Sequence, residues 1–248
     1  MLQWRANSIL PAIVWSAMRA VLFDLDGTLL DVDIDVFMSR YFAALTEHSR
    51  PVYEGDGLVD ALLGATRAMW EEHPDRTNRD VFHEAFLDLS GIDLDEHWEL
   101  FEDFYENRFE ALGDGMGPKP GARRAVETSL ALGLKTVVAT NPMFPRTAIE
   151  KRLGWAGVRD IDYDLVTTYE NMHACKPHAA YFLEIAEMLA VSPEECLMVG
   201  DDPGLDLPAS AVGMTTYYVG DAPDVEADMR GDLEGLSELL PTLATSGA

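Results

Sequence analysis

Two aspartates separated by one residue end an apolar run near the start of the chain. The segment 20–31 reads AVLFDLDGTLLD, and the two aspartates are Asp24 and Asp26. Side chains alternate along a strand, so both carboxylates would point to the same side, where like charges repel unless a cation or a shared proton holds them. The pattern favours a carboxylate site at a strand end. A β-hairpin is the alternative, because Asp26-Gly27 is also a common turn dipeptide.

Three later apolar runs are followed by polar residues in the same way. Each run has the length and composition of a buried strand, and each polar group comes at or just after its end. A helix cap, an exposed loop lysine or a simple turn would explain any one of them, but not their recurrence at every run. The groups are Thr140 and Asn141 after 135–140, Lys176 after 163–168, and Asp201, Asp202 and Asp206 after 196–200.

The elements that must position these groups alternate between helix and strand. From residue 121 onward, helical segments at 121–132, 146–153, 178–190 and 209–212 are interleaved with apolar runs, the last of which is 215–219. This rhythm predicts an α/β fold, a doubly wound parallel sheet with helices on both faces and a Rossmann-like core. Ligands of such sheets bind beyond the carboxyl ends of the strands, where all the polar groups above would lie.

A different texture separates the first strand from the rest of the sheet. Residues 31–117 are rich in charged and aromatic residues with helical spacing, which predicts four helices and an inserted all-helical cap domain. The α/β core is then expected to comprise residues 18–30 and 118–248. Residues 1–17 contain a short apolar stretch interrupted by Pro11, with Arg5 as a weak charged leader for a secretory signal. We therefore treat residues 1–17 as an N-terminal extension and Met18 as the candidate native start.

This constellation suits phosphoryl transfer through a covalent aspartyl phosphate. Asp24 would attack phosphorus, and Asp26 would protonate the leaving oxygen and later activate water. The hard ion Mg²⁺ would lie between Asp24, the backbone carbonyl of Asp26, and Asp201. Lys176 and the hydroxyl of Thr140 would hold the remaining phosphate oxygens and offset the crowding of negative charge.

Four motifs then identify a family that the chain resembles. DLDGTLLD, VVATN, CKP and GDDPGLD are similar, in order, to the motifs of the haloacid dehalogenase superfamily, in particular to phosphatases of the phosphoglycolate phosphatase type with a helical cap inserted after the first strand. The resemblance implies a Mg²⁺-dependent phosphoric monoester hydrolase acting on a small phosphorylated metabolite. It assigns Asp24 and Asp26 to catalysis, Thr140, Asn141 and Lys176 to phosphate binding, Asp24, Asp26 and Asp201 to the metal, and Asp206 to orienting the metal's waters or Lys176.

Composition limits the partners. The chain has 248 residues with 44 acidic and 18 basic side chains, a formal charge of −26, which disfavours nucleic acid and anionic membranes. Two cysteines do not form a disulfide framework, so a cytoplasmic setting is expected. The six histidines lack zinc-ligand spacing. Nothing in the sequence indicates an oligomeric state.

Several alternatives stay open at this point. The family's dehalogenases lack the second aspartate and need no Mg²⁺, so Asp26 and the acidic last motif argue against that reaction. A phosphomutase would share all four motifs. A catalytically silent binding scaffold would be free to lose the residues that are intact here. The stretch 31–35, DVDID, begins like a calcium loop, but Val36 replaces the required glycine, and no nucleotide-binding glycine loop occurs.

Overall fold

A six-stranded parallel sheet forms the centre of the computed structural model, which describes residues 17–53, 55 and 57–245. The predicted N-terminal extension therefore lies, apart from Ala17, outside the described residues. The strands of this sheet are β1 (Ala20–Phe23), β4 (Lys135–Val138), β5 (Leu165–Val166), β6 (Cys196–Gly200), β7 (Thr215–Tyr218) and β8 (Met229–Arg230). Their order across the sheet is β5-β4-β1-β6-β7-β8.

The first strand lies at the middle of this sheet. β1 pairs in parallel with β4 on one side and β6 on the other, and all four of its residues are fully buried. Its side chains alternate between two apolar clusters, with Val21 and Phe23 in one and Ala20 and Leu22 in the other. The continuous apolar runs are thus explained by a sheet that is covered on both faces.

Helices cover both faces, as the alternating pattern predicted. None of the helices in the described part of the chain is long and apolar enough to cross a membrane. The helix predicted at 209–212 is a 3₁₀ segment, Leu207–Val212, which contains Pro208. The four α-helices of this half of the chain are α5 (Ala122–Ala131), α6 (Arg146–Trp155), α7 (Ala179–Leu189) and α8 (Leu233–Thr245).

The segment between the first and second core strands is helical, and we call residues 34–113 the helical insertion. Its α-helices are α1 (Ile34–His48), α2 (Leu58–Ala68), α3 (Asn78–Ser90) and α4 (Trp98–Asp103). The predicted fourth helix is correct in place but not regular, because α4 continues as a π-helical turn, Phe104–Arg108, and then a 3₁₀ turn, Phe109–Gly113. The buried aromatic side chains of the helical insertion pack together in one apolar cluster.

Local sequence signals fix where two helices of the insertion, α1 and α3, begin. The Asp33 carboxylate accepts a hydrogen bond from the Val36 amide and caps α1. At α3, Thr77 and Asp80 form a reciprocal capping box. Asp33 in the segment 31–35 therefore serves as a helix cap rather than as part of a calcium loop.

A short antiparallel pair joins the helical insertion to the core. β2 (Leu30–Asp31) pairs with β3 (Gly117–Pro118), so the chain leaves and re-enters the core at adjacent positions. Lys119 strengthens this junction, since its amide donates to the Leu29 carbonyl and its Nζ lies 3.1 Å from Asp31 Oδ1. This pair was not predicted, because two-residue strands carry no periodic signal.

Candidate active site

Asp24, the first aspartate of the opening motif, is held by a buried lysine. Asp24 follows β1 directly, and its amide continues the sheet by donating to the Val199 carbonyl. Lys176 Nζ donates to Asp24 Oδ1 at 2.8 Å and to Asp206 Oδ1 at 2.6 Å. Asp206 Oδ2 in turn accepts from the Asp202 amide. Residues from three separate strand ends therefore form one buried network, and the hairpin alternative for the opening motif is wrong.

Electrostatics explain why a charged lysine is stable there. Burial lowers the pKa of Lys176, but the charges of Asp206 and Asp24 outweigh this effect and hold its pKa above the usual value. Burial raises the pKa of Asp206 well above its usual range, against the opposing effect of Lys176. The network is charge-balanced only in part, because two carboxylates share one ammonium.

A third carboxylate completes a group that could hold a divalent cation. Asp24, Asp201 and Asp206 each offer an oxygen, and these three atoms lie within 4.8 Å of one another. Burial and the charge of Asp24 raise the pKa of Asp201 to about 6, as expected when carboxylates crowd together without a cation. Thr28 Oγ1 donates to Asp201 Oδ1 at 3.0 Å and fixes its orientation. An oxygen-only donor set of this kind suits a hard ion such as Mg²⁺.

Gly27 allows the first loop to approach this group closely. Its φ is +81°, and a Cβ atom at this position would overlap the carboxylate of Asp201. Glycine is required both by the backbone conformation and by the lack of space. The glycine of the opening motif therefore keeps the loop after β1 against the acidic loop after β6.

Asp26, the second aspartate, has a partner that the sequence analysis missed. Its carboxylate forms a bidentate ion pair with Arg152 on α6, in which Arg152 Nε lies 3.1 Å from Asp26 Oδ1 and Nη2 contacts Oδ2. The Asp26 carboxylate points toward Arg152 and does not belong to the group of Asp24, Asp201 and Asp206. The guanidinium lies over the rings of Phe37 and Phe144, at 5.6 and 5.2 Å from their centroids.

Arg152 is unusually buried for an arginine on a short helix. Its side chain is only 3% exposed, and burial lowers its pKa to about 10, against the opposing charge of Asp24. Its Nη1 is buried without a hydrogen-bond partner among the described residues. The sequence signal was weak: Arg152 occupies the same helical face as Ile149, which is also buried.

The residues after β4 provide the opposite wall. β4 ends at Val138, two residues before the predicted limit, so Thr140 and Asn141 lie in the loop. The Thr140 carbonyl is fixed by the hydroxyls of Thr167 and Tyr181 at 2.7 and 2.9 Å. Asn141 Oδ1 accepts from the Lys176 amide, and Asn141 Nδ2 is buried with no hydrogen-bond partner among the described residues.

All the predicted site residues line one cavity of about 430 Å³ between the strand ends and the helical insertion. Arg152 joins them there. Two buried donors without partners, Asn141 Nδ2 and Arg152 Nη1, thus belong to residues of the same cavity as the carboxylates and Lys176. Predicted residues that the structure brings together at this cavity are Asp24, Asp26, Thr140, Asn141, Lys176, Asp201, Asp202 and Asp206.

The helical insertion is docked directly on the loops that carry these groups. Asn78, fully buried at the start of α3, donates through Nδ2 to the carbonyls of Pro142 and Ala174. The backbone amide of Asn78 donates to the Met172 carbonyl. One asparagine of the insertion therefore contacts the loop after Asn141 and the loop before Lys176.

Comparisons with known proteins show the family of this chain. The family of haloacid dehalogenase-like hydrolases matches residues 18–212. A phosphoglycolate phosphatase of Chromobacterium violaceum is 28% identical over 218 residues, which are 85% of this chain and 90% of that protein. The solved structure of a HAD phosphatase from Thermococcus onnurineus has 26% identity and a TM-score of 0.57, and the match covers 90% of this chain and 98% of that one.

One relative is much longer than this chain. The chloroplastic protein SUPPRESSOR OF QUENCHING 1 of Arabidopsis thaliana is 25% identical over 194 residues, which are 75% of this chain but only 16% of that protein. The family match covers most of the chain and includes all four strand ends that form the cavity. The chain therefore belongs to the haloacid dehalogenase-like hydrolase family.

Proposed function

We propose that this hydrolase is a Mg²⁺-dependent phosphatase that cleaves a small phosphate monoester through an aspartyl phosphate on Asp24. The observation that carries the proposal is the combination at one cavity of a lysine-paired aspartate, a group of three carboxylates and two buried donors without partners. Carboxylates alone would repel a phosphate. The donors and the cation site make its binding possible.

Phosphate binding is assigned to the donors around Asp24. Lys176 Nζ already donates to Asp24 Oδ1, so a phosphoryl group in front of this carboxylate would lie beside the same ammonium. Asn141 Nδ2 and the Thr140 hydroxyl, which belong to cavity-lining residues of the loop after β4, would bind phosphoryl oxygens from that side. Mg²⁺ held by Asp24, Asp201 and the Asp26 carbonyl would neutralise phosphate charge and that of the nucleophile.

Asp24 and Asp26 divide the chemistry between them. A carboxylate oxygen of Asp24 attacks phosphorus as the ester P–O bond breaks, and Asp26 gives its proton to the departing alkoxide. Asp26 then takes a proton from the water that attacks the aspartyl phosphate, and inorganic phosphate leaves. The Asp26 carboxylate is paired with Arg152 through both oxygens, so one oxygen would be released from this pair to carry the proton while the other keeps the carboxyl group oriented. Asp206 acts on Lys176 and does not touch the substrate.

The helical insertion is proposed to act as a cap over the reacting groups. It supplies much of the cavity wall, and its α3 is hydrogen-bonded to the loops next to Asn141 and Lys176. A cap of this kind excludes water and selects the substrate. In the same proposal, residues 18–30 and 118–248 form the catalytic α/β core and residues 31–117 form the cap domain.

The test is a turnover assay of the purified chain with acetyl phosphate and a set of phosphate monoesters, with and without Mg²⁺. Release of inorganic phosphate that requires Mg²⁺ and disappears in Asp24→Asn is expected. Isomerisation of a sugar phosphate without net phosphate release would instead indicate a phosphomutase. Halide release from a 2-haloacid in the absence of Mg²⁺ would indicate a dehalogenase, and no turnover of any compound would leave only a binding role.

A further inference from the structure

The upper wall of the cavity is apolar and aromatic, in contrast with its acidic floor. The part contributed by the helical insertion includes, among others, Phe42, Leu45, Leu62, Leu63, Trp98 and Phe101. The core adds Met143 and Phe144, which lie in the same loop after β4 as Thr140 and Asn141. A volume of about 430 Å³ falls in the range of about 300–1,000 Å³ typical of sites for drug-sized ligands, which is far more than a phosphoryl group needs.

The hydroxyl groups that the helical insertion contributes to this upper wall already have partners within the protein. The hydroxyls of Tyr41 and Tyr105 form a 2.9 Å hydrogen bond, and burial raises the pKa of Tyr41 to about 12, so it remains neutral. Thr66 Oγ1 donates to the Leu62 carbonyl within its own helix. The upper wall therefore offers a leaving group hydrophobic contact and few hydrogen bonds.

Positive charge is confined to the floor. Of the described residues that line the cavity, only Arg152 and Lys176 are cationic, and both are paired with carboxylates. Five aspartates line the same cavity, Asp24, Asp26, Asp201, Asp202 and Asp206. The spare donor, Arg152 Nη1, is one of those proposed to serve the phosphate, so a second anionic group on the substrate would enter an apolar, negatively charged space without a cation of its own.

We propose that the substrate is a phosphate monoester of an uncharged, predominantly apolar alcohol, aromatic or branched, whose hydrocarbon part fills the upper cavity. This inference rests on the proposed phosphatase function and makes it specific. It sets the chain apart from a preference for phosphoglycolate, the substrate named for the Chromobacterium relative, because glycolate carries a carboxylate and only two carbons.

The test compares two uncharged primary alcohols of similar reactivity, as 2-phenylethyl phosphate and 2-hydroxyethyl phosphate, together with 2-phosphoglycolate. We expect kcat/KM for the phenylethyl ester to exceed that of both small esters by about 100-fold, because its ring would be removed from water in the upper cavity. Acetyl phosphate has a reactive but very small leaving group, acetate, which cannot fill the upper cavity. Its turnover therefore measures phosphoryl transfer alone.

A matched pair of variants locates the preference. Leu63 lines the cavity and is 36% exposed, whereas Leu87 on α3 is 40% exposed and is not among the lining residues. Leu63→Arg introduces a cation into the upper wall and should lower the phenylethyl-to-phosphoglycolate ratio of kcat/KM at least tenfold. Leu87→Arg, the same change outside the cavity, should leave the ratio unchanged, and thermal melts of both variants verify folding.

The outcomes separate the two levels of the proposal. Turnover of acetyl phosphate combined with equal or better use of phosphoglycolate would overturn the apolar substrate and leave the phosphatase standing. An unchanged ratio in Leu63→Arg would show that the preference does not arise in this cavity, and would also overturn the inference. Loss of all turnover in the wild-type protein, acetyl phosphate included, would remove the phosphatase function and the inference with it.

Discussion

Arg152 and Asp26 form an ion pair between a helix that follows β4 and the loop that follows β1. The two residues are 126 positions apart, and the guanidinium contributes both Nε and Nη2 to the one carboxylate. A bidentate pair fixes the direction of a carboxylate as well as its position. Arg152 is therefore a positioning residue for the proposed acid–base aspartate, and it also keeps a spare donor at the cavity.

The first prediction concerns Arg152. Arg152→Met keeps most of the volume of the side chain but removes the group that orients Asp26, and kcat for an alkyl phosphate should fall by about 10²-fold, the effect typical of a misplaced catalytic group. Arg152→Lys should recover part of the loss. Arg146→Met on the exposed side of the same helix is the control and should change little. A purely structural role would instead reduce thermal stability in both Arg152 variants and leave kcat of the folded fraction unchanged.

The second prediction separates the roles of the two opening aspartates. Asp24→Asn removes the attacking oxygen, so turnover should fall to background for every substrate. Asp26→Asn retains the backbone carbonyl but lacks a proton donor, and general acid assistance is worth roughly 10²–10⁴-fold with a poor leaving group. It should form the aspartyl phosphate almost normally from p-nitrophenyl phosphate, but slowly from an alkyl phosphate.

Rapid-quench measurement of the phosphoenzyme checks this second prediction. The dephosphorylation step of Asp26→Asn should be slow with both substrates, since no base remains to activate water, and the phosphoenzyme should accumulate. Equal losses in the first step for the two substrates would mean that Asp26 is not the acid.

The third prediction is metal dependence. Activity should disappear with EDTA and return with Mg²⁺, and Ca²⁺ should support it poorly, because a larger ion with more ligands would engage Asp24 differently. Full activity in EDTA would exclude the proposed Mg²⁺ site of Asp24, Asp201 and the Asp26 carbonyl. Calorimetry of Mg²⁺ binding to Asp201→Asn should show a loss of affinity independently of any turnover.

The fourth prediction follows from the raised pKa of Asp201, about 6. A metal must displace the proton from this carboxyl, so the apparent affinity for Mg²⁺ should be constant above pH 7 and fall as the pH drops below 6. One proton gives a loss of about tenfold between pH 7.5 and pH 5.0 from this group. Calorimetric titrations at the two pH values measure it, and an affinity that does not change would show that Asp201 is not a ligand.

The fifth prediction concerns the contact between the helical insertion and the site. Asn78→Ala leaves the carbonyls of Pro142 and Ala174 without their donor, which should lower the free energy of unfolding by about 1–3 kcal/mol. KM should rise because the loops that carry Asn141 and Lys176 lose the hydrogen bonds that hold them to the helical insertion. Asn107→Ala, at an exposed position of the same insertion, should leave KM and stability unchanged.

Sequence patterns predicted the parts of the fold that have a strong periodic signal. The runs that became β1 and β6 are continuous and apolar because these strands are buried on both faces. β8 was missed, since Met229–Arg230 has neither length nor apolar character. The π-helical and 3₁₀ turns after α4 were missed because the helical spacing of apolar residues continues through them, with Phe104 and Phe109 both buried.

The site divides in the same way. Groups at strand ends were predictable because the topology of a parallel sheet brings them to one edge. Arg152 was not, because an arginine in a helix ordinarily faces water, and its burial depends on Phe37 and Phe144, which come from the insertion and from the loop after β4. Only tertiary structure reveals that this arginine has a carboxylate and two rings as neighbours.

The antiparallel pair of β2 and β3 has a consequence for how such a protein can diversify. Because Leu30 and Pro118 are paired neighbours, the two cuts needed to exchange everything between them lie side by side in space. The sheet that carries Asp24, Lys176 and Asp201 does not run through the exchanged segment. On the proposed function, the chemistry and the choice of substrate would be encoded in separable stretches of the gene, and exchange at one narrow junction would give the same reaction a new specificity.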